Sequence, residues 1–453
     1  MLQFPKDFLW GVSTSSHQYE GSNVLNQWHE WERDGHIRSR DCCGDACDWW
    51  RNAERDLNLC AELGLNAIRI SVEWSRIEPK RGDWNREAID RYTEILKGIC
   101  SRGMRPLISL HHFTHPIWFE QRGGFTHPAG PGGFAVFAAR AQEFFGEFCQ
   151  DWVTFNEPNV YTAFGYLFGE FPPGKRLDFR LAMLALMGLH QAHAFAYERL
   201  HAQQPDARVG LAINYIDFHP ASESWFDHWL AGVYHELFNL SSLHFLQLGA
   251  LPSMWWLPAV SVQDAKGKAD FIGLNVYNRL HVRFPYPLGK DFGPGGIFVP
   301  PHVPQGDRGV DLPYGEASPE VVKRAVRDYS VLRRPILVLE NGVPDRSDRL
   351  RPWVMVNTLR HLYDLWHEGH DVRGYFHWSL VDNFEWCEGW TLRFGLYELE
   401  PHTQVRTPRS SADLYRKIIT QRGLSEEELS RYDTPPEPEM VQPDLPRVLK
   451  SRV

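Results

Sequence analysis

The 453-residue chain lacks any apolar run long enough to cross a bilayer. Its longest apolar stretch, at 181–189, falls well short of the roughly 20 residues that a membrane-spanning helix requires. The chain also lacks a block of Lys or Arg, and its formal net charge is −9. Because nucleic acids and anionic membranes select basic surfaces, we expect neither of them as a partner.

Cysteine is scarce, with seven residues, and residues 1–7 show none of the features of an export signal. An odd number of cysteines in a large chain of this kind indicates reduced thiols, so we expect a soluble, cytoplasmic protein. Cys42, Cys43 and Cys47 could form part of a zinc site, but no second Cys or His pair follows at finger-like spacing. Ordinary thiols are therefore favoured, and neither a metal nor a cofactor is expected.

Short β-rich runs alternate eight times with longer segments whose apolar residues have helical spacing. The predicted strands are 9–13, 67–72, 106–110, 152–155, 209–213, 271–276, 336–339 and 374–378. Helical spacing is clearest at 86–100, 134–148, 181–200, 319–332 and 354–367. Length alone would suggest three domains, but this alternation predicts an α/β fold with a single (β/α)8, or TIM, barrel over residues 1–423.

Two segments depart from the alternation. Residues 278–314 are rich in Pro, Gly and aromatic residues and have no helical period, which is typical of a long functional loop. Residues 424–453 contain several prolines and are predicted to form an extended or partly disordered C-terminal extension.

Polar and aromatic side chains recur where the apolar strands stop. They are Gln18, Arg69, His112, Asn156, Glu157, Asn214, Asn275, Tyr277, Glu340, Asn341 and Trp378. Active sites of such barrels lie at the carboxyl ends of the strands, so these side chains should meet at one mouth. Glu157 and Glu340 form the most informative pair, because acetal hydrolysis needs one protonated and one ionised carboxyl group. Arg69 could keep one of them ionised.

Two short segments around these carboxylates carry a family resemblance. Residues 154–158 read Thr-Phe-Asn-Glu-Pro, and residues 339–342 read Leu-Glu-Asn-Gly. Further blocks, in the same order along the chain, are 8–11, 18–21, 69–71, 74–76, 374–378 and 382–386. The sequence resembles glycoside hydrolase family 1, the retaining β-glucosidases and β-galactosidases, over about residues 5–422.

The resemblance implies a role for each matching residue. Glu157 matches the acid/base, Glu340 the nucleophile, and Arg69 and Tyr277 the groups that orient the nucleophile. Asn156 matches the ligand of the 2-hydroxyl group. The other substrate-binding residues expected are Gln18, His112, Asn275, Trp378, Glu385, Trp386 and Phe394, of which Asn275 is proposed from its place at a strand end.

The implied function is that of a retaining, exo-acting β-glycosidase, in the first place a β-glucosidase that tolerates β-galactosides or β-fucosides. A transglycosidase or a non-hydrolytic sugar-binding protein on the same scaffold stays open as an alternative. A metal-dependent hydrolase using His111 and His112 is disfavoured, because no second ligand cluster appears. Glu385 disfavours phosphorylated sugars, since a carboxylate repels a phosphate. The expected partner is a small β-glycoside or oligosaccharide, and the oligomeric state is left open.

Several positions near the rim, together with the loop 278–314, depart from the family pattern. The common pattern after the third strand is His-Trp-Asp-Leu-Pro, whereas this chain has His112-Phe-Thr-His-Pro116, with Thr114 in place of the Asp. Asn159 stands where a Trp is more usual. The preference for the leaving group is therefore the least constrained property.

Overall fold

The computed structural model describes residues 1–253, 259–285, 294–311 and 313–437. Within these residues, eight strands pair in parallel and form a closed ring, in which the eighth strand pairs with the first. The strands are β1 (Leu9–Ser13), β2 (Ala67–Ser71), β3 (Arg105–Ser109), β4 (Asp151–Asn156), β5 (Arg208–Pro220), β6 (Phe271–Val282), β7 (Ile336–Asn341) and β8 (Val372–His377). The closing register places Val12 opposite both His377 and Ile68. The predicted (β/α)8 barrel is confirmed.

One outer helix of the barrel follows each strand. These helices are α1 (Trp49–Leu63), α2 (Arg86–Ser101), α3 (Gly130–Phe145), α4 (Phe179–Gln203), α5 (Ser241–Leu248), α6 (Val321–Ser330), α7 (Arg351–His367) and α8 (Ser410–Gln421). In α2, the side chain of Asn85 caps the first turn, and the buried residues recur every three or four positions toward the strands. No helix in the described part of the chain has the length and apolar content needed to cross a membrane.

Shorter elements occupy the loops. The short helices are Ser16–Glu20, Gln27–Arg33, Trp74–Ile77, Ile117–Glu120, Gly124–Thr126, Pro158–Thr162, Ala163–Phe168, Trp225–Tyr234, His235–Asn239, Gln263–Ala265, Pro294–Gly296, Trp386–Glu388 and Glu426–Arg431. The remaining strands are Leu2–Gln3, Ala250–Leu251, Val260–Ser261, Ile297–Phe298, Glu316–Ala317, Tyr397–Glu400, Val405–Pro408 and Gly423–Leu424.

Apolar side chains fill the inside of the barrel beneath the carboxyl ends of the strands. They are Ala67, Leu107, Val153, Ala212, Phe271, Leu337, Leu339 and Phe376. Glycine makes room for two of them, because a Cβ on Gly11 would lie 2.3 Å from the Phe376 ring and one on Gly273 would lie 2.4 Å from Leu339. A second, larger apolar layer packs between the strands and the helices. Burial on both faces explains why the strands are almost continuously apolar.

Strands β5 and β6 are longer than predicted. They continue as a pair beyond the barrel, with Pro220 opposite Val282. Ile297–Phe298 and Glu316–Ala317 then pair with β6 in the antiparallel direction. Part of the predicted loop 278–314 is therefore strand, because pairing with neighbours overrides its Pro- and Gly-rich composition. Residues 286–293 and 312 of that loop lie outside the described residues.

The start of the C-terminal extension also differs from the prediction. Gly423–Leu424 pairs with Leu2–Gln3, and the helix Glu426–Arg431 follows it. Ser425 and Glu428 form a capping box at the start of this helix, so the backbone is helical here rather than extended. Residues 438–453 of the extension lie outside the described residues.

Candidate active site

The two predicted catalytic carboxyl groups lie at the carboxyl ends of strands on opposite sides of the barrel. Glu157 follows β4, where its left-handed backbone (φ 49°) turns the chain into the helix Pro158–Thr162. Glu340 is the second-last residue of β7. Both side chains are buried, so their protonation depends on the groups that surround them.

Glu340 is bound by a cation and a phenol. Arg69 donates from Nη1 to Oε1 at 2.5 Å, and the Tyr277 hydroxyl donates to Oε2 at 2.6 Å. Arg69 is itself fully buried and is held by the Ser109 hydroxyl, 2.8 Å from its Nε. Burial raises the pKa of Glu340 above its usual range, while the charge of Arg69 and the hydrogen bond from Tyr277 oppose that rise. The contacts around Glu340 therefore favour its ionised form.

Glu157 is bound by neutral amides instead. Asn214 and Asn275 both donate to its Oε1, at 2.9 and 2.8 Å. Burial and the negative charge of Glu340 raise the pKa of Glu157 to about 8. A pKa of about 8 favours the protonated form of Glu157 at neutral pH, so the two carboxyl groups lie in unlike environments.

Two asparagines and a histidine connect the carboxylates. Oδ1 of Asn156 accepts from Arg69 at 2.6 Å and from Asn275 at 3.0 Å. The Asn275 amide nitrogen thus donates to both Asn156 and Glu157, and Asn275 is also near enough to Glu340 to lower the pKa of that group. Burial and the charge of Arg69 lower the pKa of His112 well below its usual value. Nε2 of the neutral His112 ring lies 3.1 Å from the amide nitrogen of Asn156. This ring nitrogen can accept a hydrogen bond from that amide.

A second group of predicted residues lines the same mouth from the β1 and β8 sides. Gln18 donates to the carbonyl of Phe384 at 2.8 Å and lies 3.5 Å from Glu385. Burial and the charges of the two site carboxylates raise the pKa of Glu385 to about 8. The His112 ring stacks beside Trp378 and Trp386, at centroid distances of 6.0 and 6.1 Å.

Phe394 completes the predicted set. It packs with Tyr277 and Trp378 in one aromatic cluster, so the structure brings all the predicted site residues together. The cluster also contains Tyr314, whose ring lies 5.1 Å from that of Phe394. Tyr314 was not predicted, because it is the last residue of the loop 278–314, which matches no family pattern. Asn214 was noted at a strand end but not assigned to the site, and that position was the available signal.

The histidines and cysteines considered as metal ligands have other neighbours. Nε2 of His111 lies 3.2 Å from Nδ1 of His115, and the thiol of Cys43 donates to the carbonyl of His17. All seven cysteines are free thiols. Among the residues that the structure describes, no group of three or more His, Cys, Asp or Glu side chains is arranged to hold a metal ion.

A closed (β/α)8 barrel with two unlike buried carboxyl groups at its mouth defines a sugar-cleaving barrel enzyme. The sequence model of Glycosyl hydrolase family 1 matches residues 1–424. The chain therefore belongs to glycosyl hydrolase family 1, as the sequence motifs predicted, and it is a β-glycosidase.

Curated relatives and solved structures agree with this assignment. The chain is 29% identical to beta-glucosidase A of Thermotoga maritima, over 94% of this chain and 99% of that protein. It is also 29% identical to a beta-galactosidase of Pyrococcus woesei, over 94% of this chain and all of that protein. The structure is similar to that of a beta-glycosidase from Pyrococcus horikoshii, with a TM-score of 0.86 and 34% identity over 96% of this chain and 99% of that one.

Proposed function

We propose that this enzyme is a retaining, exo-acting β-glycosidase, in the first place a β-glucosidase, that removes terminal β-linked neutral sugars. The observation that carries the proposal is the difference between the two buried carboxyl groups. Glu340 contacts Arg69 directly, whereas Glu157 contacts only amides. Asn275 donates to Glu157 and lowers the pKa of Glu340, and its proximity to both groups favours the short separation, about 5 Å, that retaining enzymes use.

The geometry supports a double displacement. Ionised Glu340 attacks the anomeric carbon while protonated Glu157 donates its proton to the leaving oxygen. Once Glu340 is esterified it no longer carries a charge, so one cause of the raised pKa of Glu157 disappears. Glu157, which has given its proton to the leaving group, therefore stays ionised. It can take a proton from the water that attacks the anomeric carbon and breaks the bond to Glu340.

The remaining residues are proposed to bind the sugar. Asn156 faces the 2-hydroxyl group, while Gln18, His112, Glu385 and Trp386 bind the outer hydroxyl groups. Trp378 lies under the ring, Phe394 lies beside the sixth carbon, and Asn275 binds the sugar from its place in β6. Glu385 disfavours a phosphate on the sugar, because its carboxyl group, whose pKa burial and the two site carboxylates raise to about 8, supplies no positive charge to balance a phosphate.

A panel of aryl β-glycosides tests this proposal. We expect the highest kcat/KM on the glucoside, lower but measurable values on the galactoside and fucoside, and none on 6-phosphoglucosides. NMR of the first-formed product should show the β-anomer, and a chelator should leave the rate unchanged. First formation of the α-anomer would contradict a retaining mechanism. Adding an alcohol acceptor measures whether glycosyl transfer outruns hydrolysis, which would favour the transglycosidase alternative.

The pH profile provides a second test. Activity requires ionised Glu340 and protonated Glu157, so kcat/KM should fall at low pH and again as the pH rises through about 8. Tyr277→Phe removes a hydrogen bond that favours ionised Glu340. The pKa of Glu340 should then rise, moving the acidic limb up by roughly one pH unit while the basic limb stays in place.

The matched control is Tyr314→Phe, which removes a hydroxyl group from the same aromatic cluster. It should leave the acidic limb of the profile unmoved. A Tyr277→Phe variant whose acidic limb stays unmoved, or moves down, would contradict the proposed role of Tyr277.

A cytoplasmic location is proposed as well. It is supported by the seven free thiols, because a reducing compartment keeps cysteines in this form. Five of them are buried, namely Cys43, Cys47, Cys60, Cys149 and Cys387.

A further inference from the structure

One buried carboxylate outside the reacting pair has every acceptor site filled. Glu73 follows β2 and is fully buried. Its Oε2 accepts from the hydroxyl groups of Ser16 and Thr114, at 2.9 and 2.8 Å. Its Oε1 accepts from the hydroxyl group of Ser75 at 2.7 Å and from the Ser75 backbone N–H at 3.3 Å. An ionised carboxylate offers about four acceptor positions, so these donors occupy all of them.

The donors come from the loops that follow three consecutive strands. Ser16 begins the short helix Ser16–Glu20, which carries Gln18. Thr114 lies two residues after His112 in the loop that follows β3. Glu73 and Ser75 belong to the loop that follows β2, and the backbone N–H of Glu73 is fixed in turn by the Tyr92 hydroxyl of α2, at 2.7 Å. Glu73 therefore joins the segment that carries Gln18 to the segment that carries His112.

This junction also accounts for one departure from the family pattern. The common pattern has an Asp where this chain has Thr114, which removes a carboxylate from the loop after β3. In the structure, the Thr114 hydroxyl donates to the carboxylate of Glu73. The negative charge is thus present at the same junction but comes from the neighbouring loop.

We propose that Glu73 is a positioning residue that fixes Gln18 relative to His112 and thereby sets how strongly the sugar's outer hydroxyl groups are bound. This inference rests on the proposed function of Gln18 and His112 as sugar ligands. Glu73 acts through those two residues, because its acceptor sites are taken by the loops that carry them. Displacing a positioned group by about 1 Å can cost up to a hundredfold in rate, so the effect should be measurable.

The first test is a double-mutant cycle on an aryl β-glucoside. Glu73→Gln keeps the shape of the side chain but replaces one accepting oxygen with an amide nitrogen. This nitrogen is a donor, so it cannot accept the hydrogen bonds of the hydroxyl groups that face it. It should lower kcat/KM by roughly tenfold to a hundredfold. In the background of Gln18→Ala, which lacks one of the two ligands that Glu73 positions, the further loss should be at least about threefold smaller than the loss in wild type.

Glu78→Gln is the matched control. Glu78 is a buried carboxylate near the same loop, and its oxygens accept from Trp74 and Gly82, which belong to that loop. Because neither partner lies in the segments that carry Gln18 and His112, kcat/KM should stay within about twofold of wild type.

The second test moves the carboxylate. Thr114→Asp alone places a second buried carboxylate against Glu73 and should be strongly impaired by like-charge repulsion. Combining it with Glu73→Gln leaves one carboxylate at the junction, on the loop where the family pattern has it. The double variant should recover kcat/KM to within about fivefold of wild type, which general structural damage would not allow.

Three results would overturn the inference: unchanged kcat/KM in Glu73→Gln, an equal loss in the wild-type and Gln18→Ala backgrounds, or no recovery in the double variant. If Glu73→Gln alone does not fold by circular dichroism, the double variant decides. These failures are distinct from failure of the proposed function, in which the wild-type enzyme itself would hydrolyse none of the β-glycosides.

Discussion

Replacing Glu340 with Ala is expected to abolish hydrolysis of an aryl β-glucoside, lowering kcat by at least about 10⁴-fold. The loss is large because Glu340 is proposed to form the covalent bond to the sugar. Among the described residues, no other carboxylate is hydrogen-bonded by both Arg69 and the Tyr277 hydroxyl. Steady-state release of the aryl group measures it, and unchanged circular dichroism would show that the barrel still folds.

Chemical rescue makes this prediction more specific. The cavity left by Glu340→Ala lies beside the charge of Arg69, so a small anion such as azide should bind there. Azide should restore release of an activated aryl group and give an α-glycosyl azide, because it attacks from the side that Glu340 occupied. Formation of the β-azide, or substantial activity without azide, would contradict the assignment of Glu340 as the nucleophile.

Replacing Glu157 with Ala should have an effect that depends on the leaving group. A general acid contributes roughly 10²- to 10⁴-fold, and it does so most where the departing oxygen is basic. The rate of forming the glycosyl-enzyme should therefore fall far more for a phenyl or alkyl glucoside than for a dinitrophenyl glucoside. Pre-steady-state kinetics separates this step from hydrolysis of the intermediate, which should slow for all substrates alike.

Glu157→Gln is the matched comparison, because it keeps the side chain's size and its amide neighbours, Asn214 and Asn275. It should show the same dependence on the leaving group. Equal losses of the first step for good and poor leaving groups would mean that Glu157 is not the proton donor. Another group would then have to protonate the leaving oxygen.

Much of the fold could be predicted because each barrel strand carries its own signal. Segments such as 67–72 and 336–339 are short, β-branched and apolar, and polar residues end them. The lengths of β5 and β6 could not be predicted, since the residues beyond 213 and 276 are strand only because they pair with each other and with 297–298 and 316–317. Pairing between distant segments leaves little trace in either segment alone.

Most residues of the candidate site could be predicted because they too carry a local signal in the sequence. Its residues follow strand ends or lie in motif blocks, and the structure brings them together. Tyr314 and Glu73 were not predicted. Tyr314 reaches the aromatic cluster through the path of an unmatched loop. Glu73 reads as an ordinary charged residue until the structure shows Ser16 and Thr114 around it.

Closure of the barrel has a consequence for how the enzyme becomes active. Arg69 and Glu340 are 271 positions apart in the chain, and the ring of strands is complete only when β8 pairs with β1. Contacts between such distant segments form slowly, because a long loop must be ordered before they can stabilise the fold. We therefore expect the Arg69–Glu340 pair to form late during folding. Recovery of activity after denaturation should then report the joining of the two ends of the sheet rather than the formation of the helices.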